Sequence, residues 1–419
     1  MIRRRNLVIA FLPFILLVLI LPGVVVLSAD ENVTEEPYKI ALGDTWEALA
    51  RRSNMAAEDL VRNNLTINPQ RQPAVGSIIN LPHSRQRNGR LLRPFAGGTL
   101  AIAAQNGRNP WALSLQNDLD HPYQPLLYAP FLLPGGSASV RELPPGLEQL
   151  SLAPGEITPG SAFALRGSPP DAALQVTLEA QPLAVSSTDN QTVAMGATGA
   201  FFPPGQPLLA IRSGENPLWE QPLIIADREW TWEEVTFTNS AVLDPETLQQ
   251  ERERLQAIWD EVTPQAMWQG EFQTPITDFV EISSYYGARR SVNGGPFSTY
   301  HEGTDYSAYG GTPVRAPAAG KVVLAEQLAI RGGAVILDHG LGIHSGYYHL
   351  SAVHVHPGQL VEPGDLLGEV GTTGRSTGNH LHWDLLIGRT WIDGYAWLEQ
   401  GIDEWLSPSP IEDHRLPEQ

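Results

Sequence analysis

No cysteine occurs among the 419 residues of the chain. This absence excludes disulfide bonds, thiolate metal sites, thiol nucleophiles and a lipidated N-terminal cysteine. Any metal must therefore be bound by His, Asp or Glu. Hydrophobic residues make up 42% of the chain, which is ample for buried cores. A chain of this length is expected to form about two to four domains.

The chain is strongly acidic, with a formal net charge of -19 at pH 7. An acidic surface repels the phosphate backbone of DNA and RNA. We therefore expect no nucleic-acid partner.

Residues 1–29 are typical of an export signal. Three arginines precede an apolar run from Leu7 to Leu27, which predicts that the rest of the chain is extracytoplasmic. The run is long enough to span a bilayer, which takes about 20 residues. Ser28 and Ala29 could serve as a signal-peptide cleavage site, although Leu27 suits it poorly. The segment is predicted to be a signal peptide or a membrane anchor, with the uncleaved anchor favoured.

Residues 37–83 contain two strand patterns around two helical ones. Tyr38–Leu42 is typical of a strand, and Asp44 or Thr45 can cap the helix that follows. Ser77–Leu81 is typical of a returning strand. This βααβ pattern resembles the LysM module. The resemblance implies a small domain that binds glycans containing N-acetylglucosamine, such as peptidoglycan.

A degenerate second copy of the same module is predicted at residues 95–135. It repeats three positions of the first copy at an offset of 54 residues. The alternative is that both segments are small α/β folds without glycan affinity. The matched pairs are Thr45 with Thr99, Ala50 with Ala104, and Asn63 with Asn117.

Residues 147–227 are predicted to form a β-sandwich of the immunoglobulin-like kind. Short alternating apolar runs are separated there by Pro-Gly and Gly-Ser turns. The segment has no histidine, and its acids are scattered. We interpret it as a spacer without catalytic residues.

A connector helix is predicted at residues 244–262. Asp244 is a good N-cap and Pro245 suits the first helical position. The charged residues Glu251–Arg254 suggest an exposed face, and the apolar residues that follow are expected to pack on a neighbour.

Eight of the 11 histidines lie between positions 301 and 382. His301 and Asp305 are four residues apart, and His380 and His382 are two apart in an apolar context. Residues i and i+2 of a strand share a face, so His380 and His382 can converge on one site. Two histidines and an aspartate would leave the fourth position of a tetrahedral zinc ion open for water.

Two more segments complete the pattern. Gly346–Leu350 places His349 at the end of an apolar strand, and the Gly/Thr-rich segment Gly371–Gly378 directly precedes His380. In this order the motifs resemble the lysostaphin-type (LytM-like) zinc endopeptidases over about residues 268–400. Asn379 departs from the proline found there in many members.

This resemblance implies a compact, mainly antiparallel β-sheet domain with its site in a groove. It implies one zinc ion per catalytic domain, bound by His301, Asp305 and His382. It also implies that His349 and His380 are catalytic histidines that do not bind the metal, and it leaves open which of them is the general base. Residues 401–419 are expected to be a C-terminal tail.

The remaining histidines are assigned no catalytic role. His339 and His344 are expected to support the groove, and His354 and His356, a second His-x-His pair, are not expected to bind metal. Glu302 is discounted as a general base because Gly303 follows it, which makes a helix there improbable.

The chain is therefore predicted to be a multidomain, mainly β protein that cleaves peptide cross-links or stem peptides of bacterial peptidoglycan. The LysM-like modules would hold it at the wall. The alternative is a non-catalytic LytM-like protein that binds the wall and regulates another hydrolase. Because all five site residues are present, the enzyme is the favoured hypothesis.

Overall fold

The computed structural model describes residues 35–53, 55–64, 71–82, 89–92, 98–117, 119–124, 126, 131–134, 143, 147–187, 191–215, 219–236, 245–402 and 406. Within these ranges no helix is long and apolar enough to cross a bilayer. The predicted signal or anchor at 1–29 and most of the predicted tail lie outside them. The architecture is mainly β, as predicted from the sequence, with few helices.

The first module has the predicted βααβ order. Thr45 caps the first helix by accepting a hydrogen bond from the backbone N–H of Ala48 at 3.1 Å. Trp46, Leu49 and Leu60 are buried against the two-stranded antiparallel sheet. The elements are β1 (Glu35–Lys39), α1 (Trp46–Ser53), α2 (Ala57–Asn63) and β2 (Ile78–Pro82).

The second module repeats this order with β3 (Gly89–Leu92), α3 (Thr99–Gln105), α4 (Pro110–Gln116) and β4 (Phe131–Pro134). Strands β3 and β4 pair antiparallel, so the module begins before the predicted residue 95. The run Gly-Arg-Leu-Leu of β3 does not alternate apolar and polar residues, so it does not stand out as a strand in the sequence.

One asparagine fixes each module in the same way. The Asn64 side chain donates to the carbonyls of Leu60 and Asn80 and accepts from the Asn80 N–H. Asn117 donates to the carbonyls of Leu113 and Leu132 and accepts from the Leu132 N–H. Asn64, and not the predicted Asn63, is therefore the counterpart of Asn117.

Residues 147–227 form two four-stranded sheets, with strand orders β5-β6-β10-β9 and β12-β11-β7-β8. Apolar side chains from both sheets, among them Phe163 and Ile211, share one core, which makes the segment a β-sandwich. Its strands are β5 (Gln149–Ala153), β6 (Ala162–Ser168), β7 (Leu174–Leu178), β8 (Gln181–Pro182), β9 (Ala184–Ser187), β10 (Thr192–Ala197), β11 (Leu208–Ser213) and β12 (Trp219–Pro222).

The sandwich holds the first module through Gln221, whose side chain is buried. Its Oε1 accepts from the N–H of Gly43 at 2.9 Å, and its Nε2 donates to the carbonyl of Asp44 at 2.8 Å. The backbone of Val75 also pairs with the segment that follows β12. These buried hydrogen bonds fix the position of the module on the sandwich.

The sandwich also packs on the C-terminal domain. Val193 and Met195 of β10 share an apolar cluster with Trp268, Phe272 and other buried residues of that domain. The predicted spacer is therefore part of the support of the domain that carries the candidate site.

Two elements connect the sandwich to the C-terminal sheet, namely β13 (Trp232–Val235) and α5 (Pro245–Trp259). Leu255 and Trp259 of α5 are buried against the sheet. Glu251, expected among the exposed charges, is buried as well, because its carboxylate accepts from the N–H of Ile330 at 2.7 Å and lies 3.4 Å from the Arg331 guanidinium.

An eight-stranded sheet, with β14-β17-β25-β21-β20-β19-β23 in order and β26 paired to β25, forms the main body of the C-terminal domain. All its pairs are antiparallel. The sheet strands are β14 (Glu281–Ser284), β17 (Thr304–Ser307), β19 (Gly320–Leu328), β20 (Gly332–Gly340), β21 (Ile343–Leu350), β23 (Leu360–Val361), β25 (His380–Ile387) and β26 (Thr390–Ile392).

Smaller elements flank this sheet. Strand β13 joins β15 (Arg289–Val292) and β16 (Phe297–Tyr300) in a three-stranded sheet, and β18 (Pro313–Arg315), β24 (Leu366–Glu369) and β22 (Ala352–Val353) form another. Helix α6 (Gly394–Gln400) follows Asp393, whose side chain caps it.

Candidate metal centre

The register of the large sheet brings two of the predicted ligands together. Asp305 of β17 lies directly opposite His382 of β25, and residues opposite each other in an antiparallel pair have neighbouring side chains. His301 comes just after β16 and precedes β17 by three residues. The turn between them passes close to β25, because a Cβ atom at Gly303 would lie only 2.4 Å from the Trp383 carbonyl oxygen. A side chain larger than that of glycine would therefore push His301 away from the other two.

Three donor atoms converge at this point. Nε2 of His301 lies 3.0 Å from Oδ1 of Asp305 and 3.0 Å from Nδ1 of His382, and the last two atoms are 2.7 Å apart. His301 is buried, and the other two side chains are largely shielded from solvent. Among the residues that the structure describes, these three form the one cluster of His, Asp or Glu with the spacing of a metal site.

Hydrogen bonds orient the His301 ring. Its Nδ1 lies 2.9 Å from the Ser284 hydroxyl and 3.1 Å from the carbonyl of Tyr285. A carbonyl only accepts, so Nδ1 carries the proton and the lone pair is on Nε2. This is the tautomer that a metal ligand bound through Nε2 requires.

His349 and His380 flank the cluster without joining it. Their ring centroids are 4.8 Å apart, and that of His349 is 6.3 Å from that of His382. Nδ1 of His349 donates to the Thr373 carbonyl at 2.8 Å, and Nδ1 of His380 donates to the Gly378 carbonyl at 2.8 Å. In both rings the lone pair of Nε2 is left available to accept a proton.

The backbone at His349 is strained, with a φ of 63°. A bulky residue in the left-handed region costs on the order of 1–3 kcal/mol and is concentrated at functional sites. This conformation occurs at the end of β21, where the His349 ring lies beside that of His380.

Burial sets the protonation states at the site. It lowers the pKa of His382 to about 3 and that of His349 to about 4. Burial raises the pKa of the Asp305 carboxyl, but the interactions of the carboxylate with the His301 and His382 side chains outweigh burial, so the net pKa lies well below its usual value. At neutral pH these shifts favour an ionised Asp305 carboxylate and neutral imidazoles of His349 and His382.

The donor set fits a zinc ion. Two imidazole nitrogens and one carboxylate oxygen are ordinary zinc ligands, and in a tetrahedral site with bonds of about 2.0–2.1 Å they lie roughly 3.3 Å apart. The observed separations of 2.7–3.0 Å are close to this value. Three protein ligands leave one position for water or substrate, as in catalytic zinc sites.

The other histidines of the domain lie apart from the cluster. His339 is fully buried and bonded through both nitrogens, to the Ala319 carbonyl and to the Ser345 hydroxyl. His344 is buried too. His354 and His356 are exposed, and His354 pairs with Glu369 at 3.0 Å. Glu302 contacts Arg331 at 3.3 Å.

Three residues around the predicted ligands have no signal in the sequence. Ser284 contacts His301, Arg290 lies 3.4 Å from Asp305, and Glu233 contacts both Ser284 and Arg290. None belongs to a motif, and Glu233 lies outside the segment 268–400 that the sequence indicates.

Two family models match the chain. Residues 299–394 match Peptidase family M23, and residues 38–82 match the LysM domain. The first segment contains all five residues predicted to form the site, and the second coincides with the first βααβ module.

Curated relatives are similar over the same region. The DD-carboxypeptidase/endopeptidase Mpg of Neisseria meningitidis serogroup B is 45% identical over 87 residues, 21% of this chain and 20% of the relative. The peptidoglycan DD-endopeptidase ShyA of Vibrio cholerae is 36% identical over 113 residues, 27% of this chain and 26% of the relative. Lysostaphin of Staphylococcus staphylolyticus is 39% identical over 98 residues, 23% of this chain and 20% of the relative. The similarity thus spans about a fifth to a quarter of each relative.

Proposed function

Because the chain carries a Peptidase family M23 domain and a LysM domain, we propose that it is an extracytoplasmic, zinc-dependent endopeptidase. Its substrate would be the peptide cross-links or stem peptides of bacterial peptidoglycan. The observation that carries the proposal is the convergence of His301, Asp305 and His382, whose donor atoms lie within 3.0 Å of one another beside two further histidines.

The three converging side chains are the proposed metal ligands. Zinc, when bound, supplies a Lewis acid that lowers the pKa of water and polarises the scissile carbonyl. The protein holds the ligands ready for it, since burial keeps the His382 imidazole neutral and the hydrogen bonds at Nδ1 of His301 leave its Nε2 unprotonated.

His349 and His380 supply the proton transfers. One imidazole takes a proton from the attacking water through Nε2, while the water oxygen bonds to the carbonyl carbon. The same group returns the proton to the amine nitrogen as the C–N bond breaks. The other imidazole, when it is protonated at Nε2 as well, donates a hydrogen bond to the carbonyl oxygen, on which negative charge develops. The carbonyls of Thr373 and Gly378 accept from Nδ1 of the two rings, which leaves Nε2 of each ring for these roles.

The LysM domain supports the choice of substrate. A module that binds wall glycans would hold the enzyme beside the peptides attached to them and raise their effective concentration. Gln221 couples this module to the sandwich, and the sandwich packs on the catalytic domain. The bound glycan would therefore lie at a set distance from the metal centre.

The test of the activity is digestion of peptidoglycan sacculi by the full chain, with and without a chelator, followed by identification of the products by mass. We expect new peptide termini that disappear with the chelator, and their identity names the bond that is cut. Asp305→Ala serves as the matched control because it changes a proposed ligand only. Intact sacculi after treatment with protein shown to hold one zinc ion would contradict the proposed activity and favour the regulatory alternative.

The test of wall targeting is a deletion of residues 30–140. We expect weaker sedimentation with sacculi but unchanged cleavage of a small soluble peptide, because the deletion leaves the metal centre untouched. Equal sedimentation with and without these residues would refute the targeting role.

A further inference from the structure

Strand β13 belongs to the catalytic centre by position although it lies far from it in sequence. It pairs in parallel with β15, with Glu233 opposite Arg290. Hydrogen bonds from the N–H of Arg289 to the Thr231 carbonyl and from the N–H of Asn293 to the Val235 carbonyl, at 2.8 and 2.9 Å, extend the pairing at both ends. The strand therefore has a defined register against the catalytic domain.

This register turns Glu233 toward the metal centre. Its neighbours Trp232 and Glu234 are exposed, whereas the Glu233 side chain is only 26% exposed. The alternation is that of a strand with one face covered. The carboxylate accepts from the Ser284 hydroxyl, with oxygen–oxygen distances of 2.8 and 2.9 Å, and from Nε of Arg290 at 3.1 Å.

Each partner of Glu233 touches one proposed ligand. The Ser284 hydroxyl lies 2.9 Å from Nδ1 of His301, and the Arg290 guanidinium lies 3.4 Å from Oδ2 of Asp305. Arg290 also donates to the Ser284 hydroxyl at 2.9 Å. The Glu233 carboxylate is thus linked to two proposed ligands, through Ser284 to His301 and through Arg290 to Asp305.

The link through Ser284 controls which nitrogen of His301 is protonated. A serine hydroxyl has a single hydrogen, and here the carboxylate attracts it. The Ser284 oxygen therefore accepts from Nδ1–H of His301, which keeps the lone pair on Nε2. Without the carboxylate, the hydroxyl could donate to Nδ1 and favour the tautomer that is unable to bind metal through Nε2. The Tyr285 carbonyl opposes this change, so the effect is a weakening and not a loss.

The link through Arg290 controls the charge beside Asp305. Arg290 is closer to Glu233 than to Asp305, at 3.1 against 3.4 Å. A guanidinium that is shared with a second carboxylate interacts less strongly with the first, which here is the Asp305 carboxylate. If Glu233 were neutral, Arg290 would pair with Asp305 alone and compete with the metal for its oxygens.

We propose that Glu233 is a positioning residue for the metal ligands His301 and Asp305, supplied by a strand outside the segment that matches the peptidase family. The proposal rests on the proposed function, since it assigns Glu233 a task in the same zinc site. Partners of metal ligands that set the tautomer and orientation typically contribute about 10–100-fold to metal affinity.

The test compares Glu233→Gln with Glu234→Gln in the full chain. The control removes the same charge from the next residue of the strand, whose side chain is exposed. Zinc affinity is measured by competition with a chelator of known affinity, and thermal unfolding is measured on the metal-free proteins. We expect Glu233→Gln to bind zinc about tenfold more weakly, with metal-free stability equal to that of the control. Glu233→Asp, which keeps the charge, should recover part of the affinity.

A double-mutant cycle with Ser284→Ala tests the route. If Glu233 acts partly through Ser284, the two losses of zinc affinity are less than additive. Zinc affinities of Glu233→Gln and Glu234→Gln within twofold of each other would overturn the proposal. So would a loss that appears only with a lower unfolding temperature and that Glu233→Asp does not restore. If the unmodified protein binds no zinc, the proposed function fails instead.

Discussion

The two His-x-His segments of the C-terminal domain have the same spacing and opposite surroundings. His380 and His382 lie on β25, which is hydrogen-bonded to β17 on one side and to β21 on the other. His354 and His356 lie after the short strand β22, where both side chains are exposed and only Val355 between them is buried.

The difference shows that spacing alone does not make a metal site. His382 has Asp305 directly across the sheet, and the buried His301 completes the set. His354 has one carboxylate partner, Glu369, in a pair exposed to solvent. On a central strand, side chains of the neighbouring strands lie beside the histidines and can complete a metal site. An exposed segment has few such neighbours.

The largest expected effect comes from removing a proposed ligand. His382→Ala and Asp305→Ala should each lose bound zinc and lower the rate of peptidoglycan cleavage by on the order of 10³-fold or more. The reason is that the Lewis acid lowers the activation barrier by several kcal/mol. Metal content and product analysis measure both. A variant that keeps stoichiometric zinc would show that the predicted ligand set is wrong.

Removal of a proposed proton-transfer group should separate metal binding from turnover. His380→Ala is expected to keep its zinc and to lose about 10²–10⁴-fold in kcat, the usual contribution of general acid–base catalysis. Zinc content and single-turnover kinetics measure the two effects. Undiminished activity would rule out a catalytic role for His380 and leave only the other member of the His-x-His pair with a function.

The buried His339 should affect stability and not activity. Burial lowers its pKa to about 4, whereas in the unfolded chain it is about 6.5. The unfolded state therefore binds the proton first as the pH falls, and stability present above about pH 6.5 is lost toward pH 4. This loss amounts to about 3 kcal/mol at most.

Chemical denaturation between pH 4 and 7 measures this contribution. The free energy of unfolding of His339→Gln should depend less on pH than that of the unmodified protein. Identical pH dependence would mean that folding does not change the pKa of His339, which would contradict the predicted effect of its burial.

The smallest effect is expected at the exposed pair. The double variant His354→Ala, His356→Ala should bind one zinc ion and cleave sacculi within about twofold of the unmodified protein, because exposed substitutions away from special features rarely change stability by more than about 0.5 kcal/mol. A loss of metal would break the comparison with His380 and His382.

Local patterns predicted much of the fold. The βααβ order of the first module and the helix that begins at Pro245 appear in the structure, because caps and helical spacing are properties of neighbouring residues. Two details depend on contacts between distant residues. Asn64 is recognised as the counterpart of Asn117 only by its hydrogen bonds across the module, and Glu251 is buried because the backbone at Ile330 needs an acceptor.

The sequence by itself determined which residues are available for chemistry. The order and spacing of three short motifs, which contain His301, Asp305, His349, His380 and His382, indicate a zinc peptidase site. Each motif can be recognised from a few neighbouring residues. Only the tertiary structure decided what holds them. Glu233 reaches Ser284 and Arg290 across 51 and 57 residues of chain, through the parallel pairing of β13 with β15. Such contacts join elements that are distant in sequence, and no local pattern encodes them.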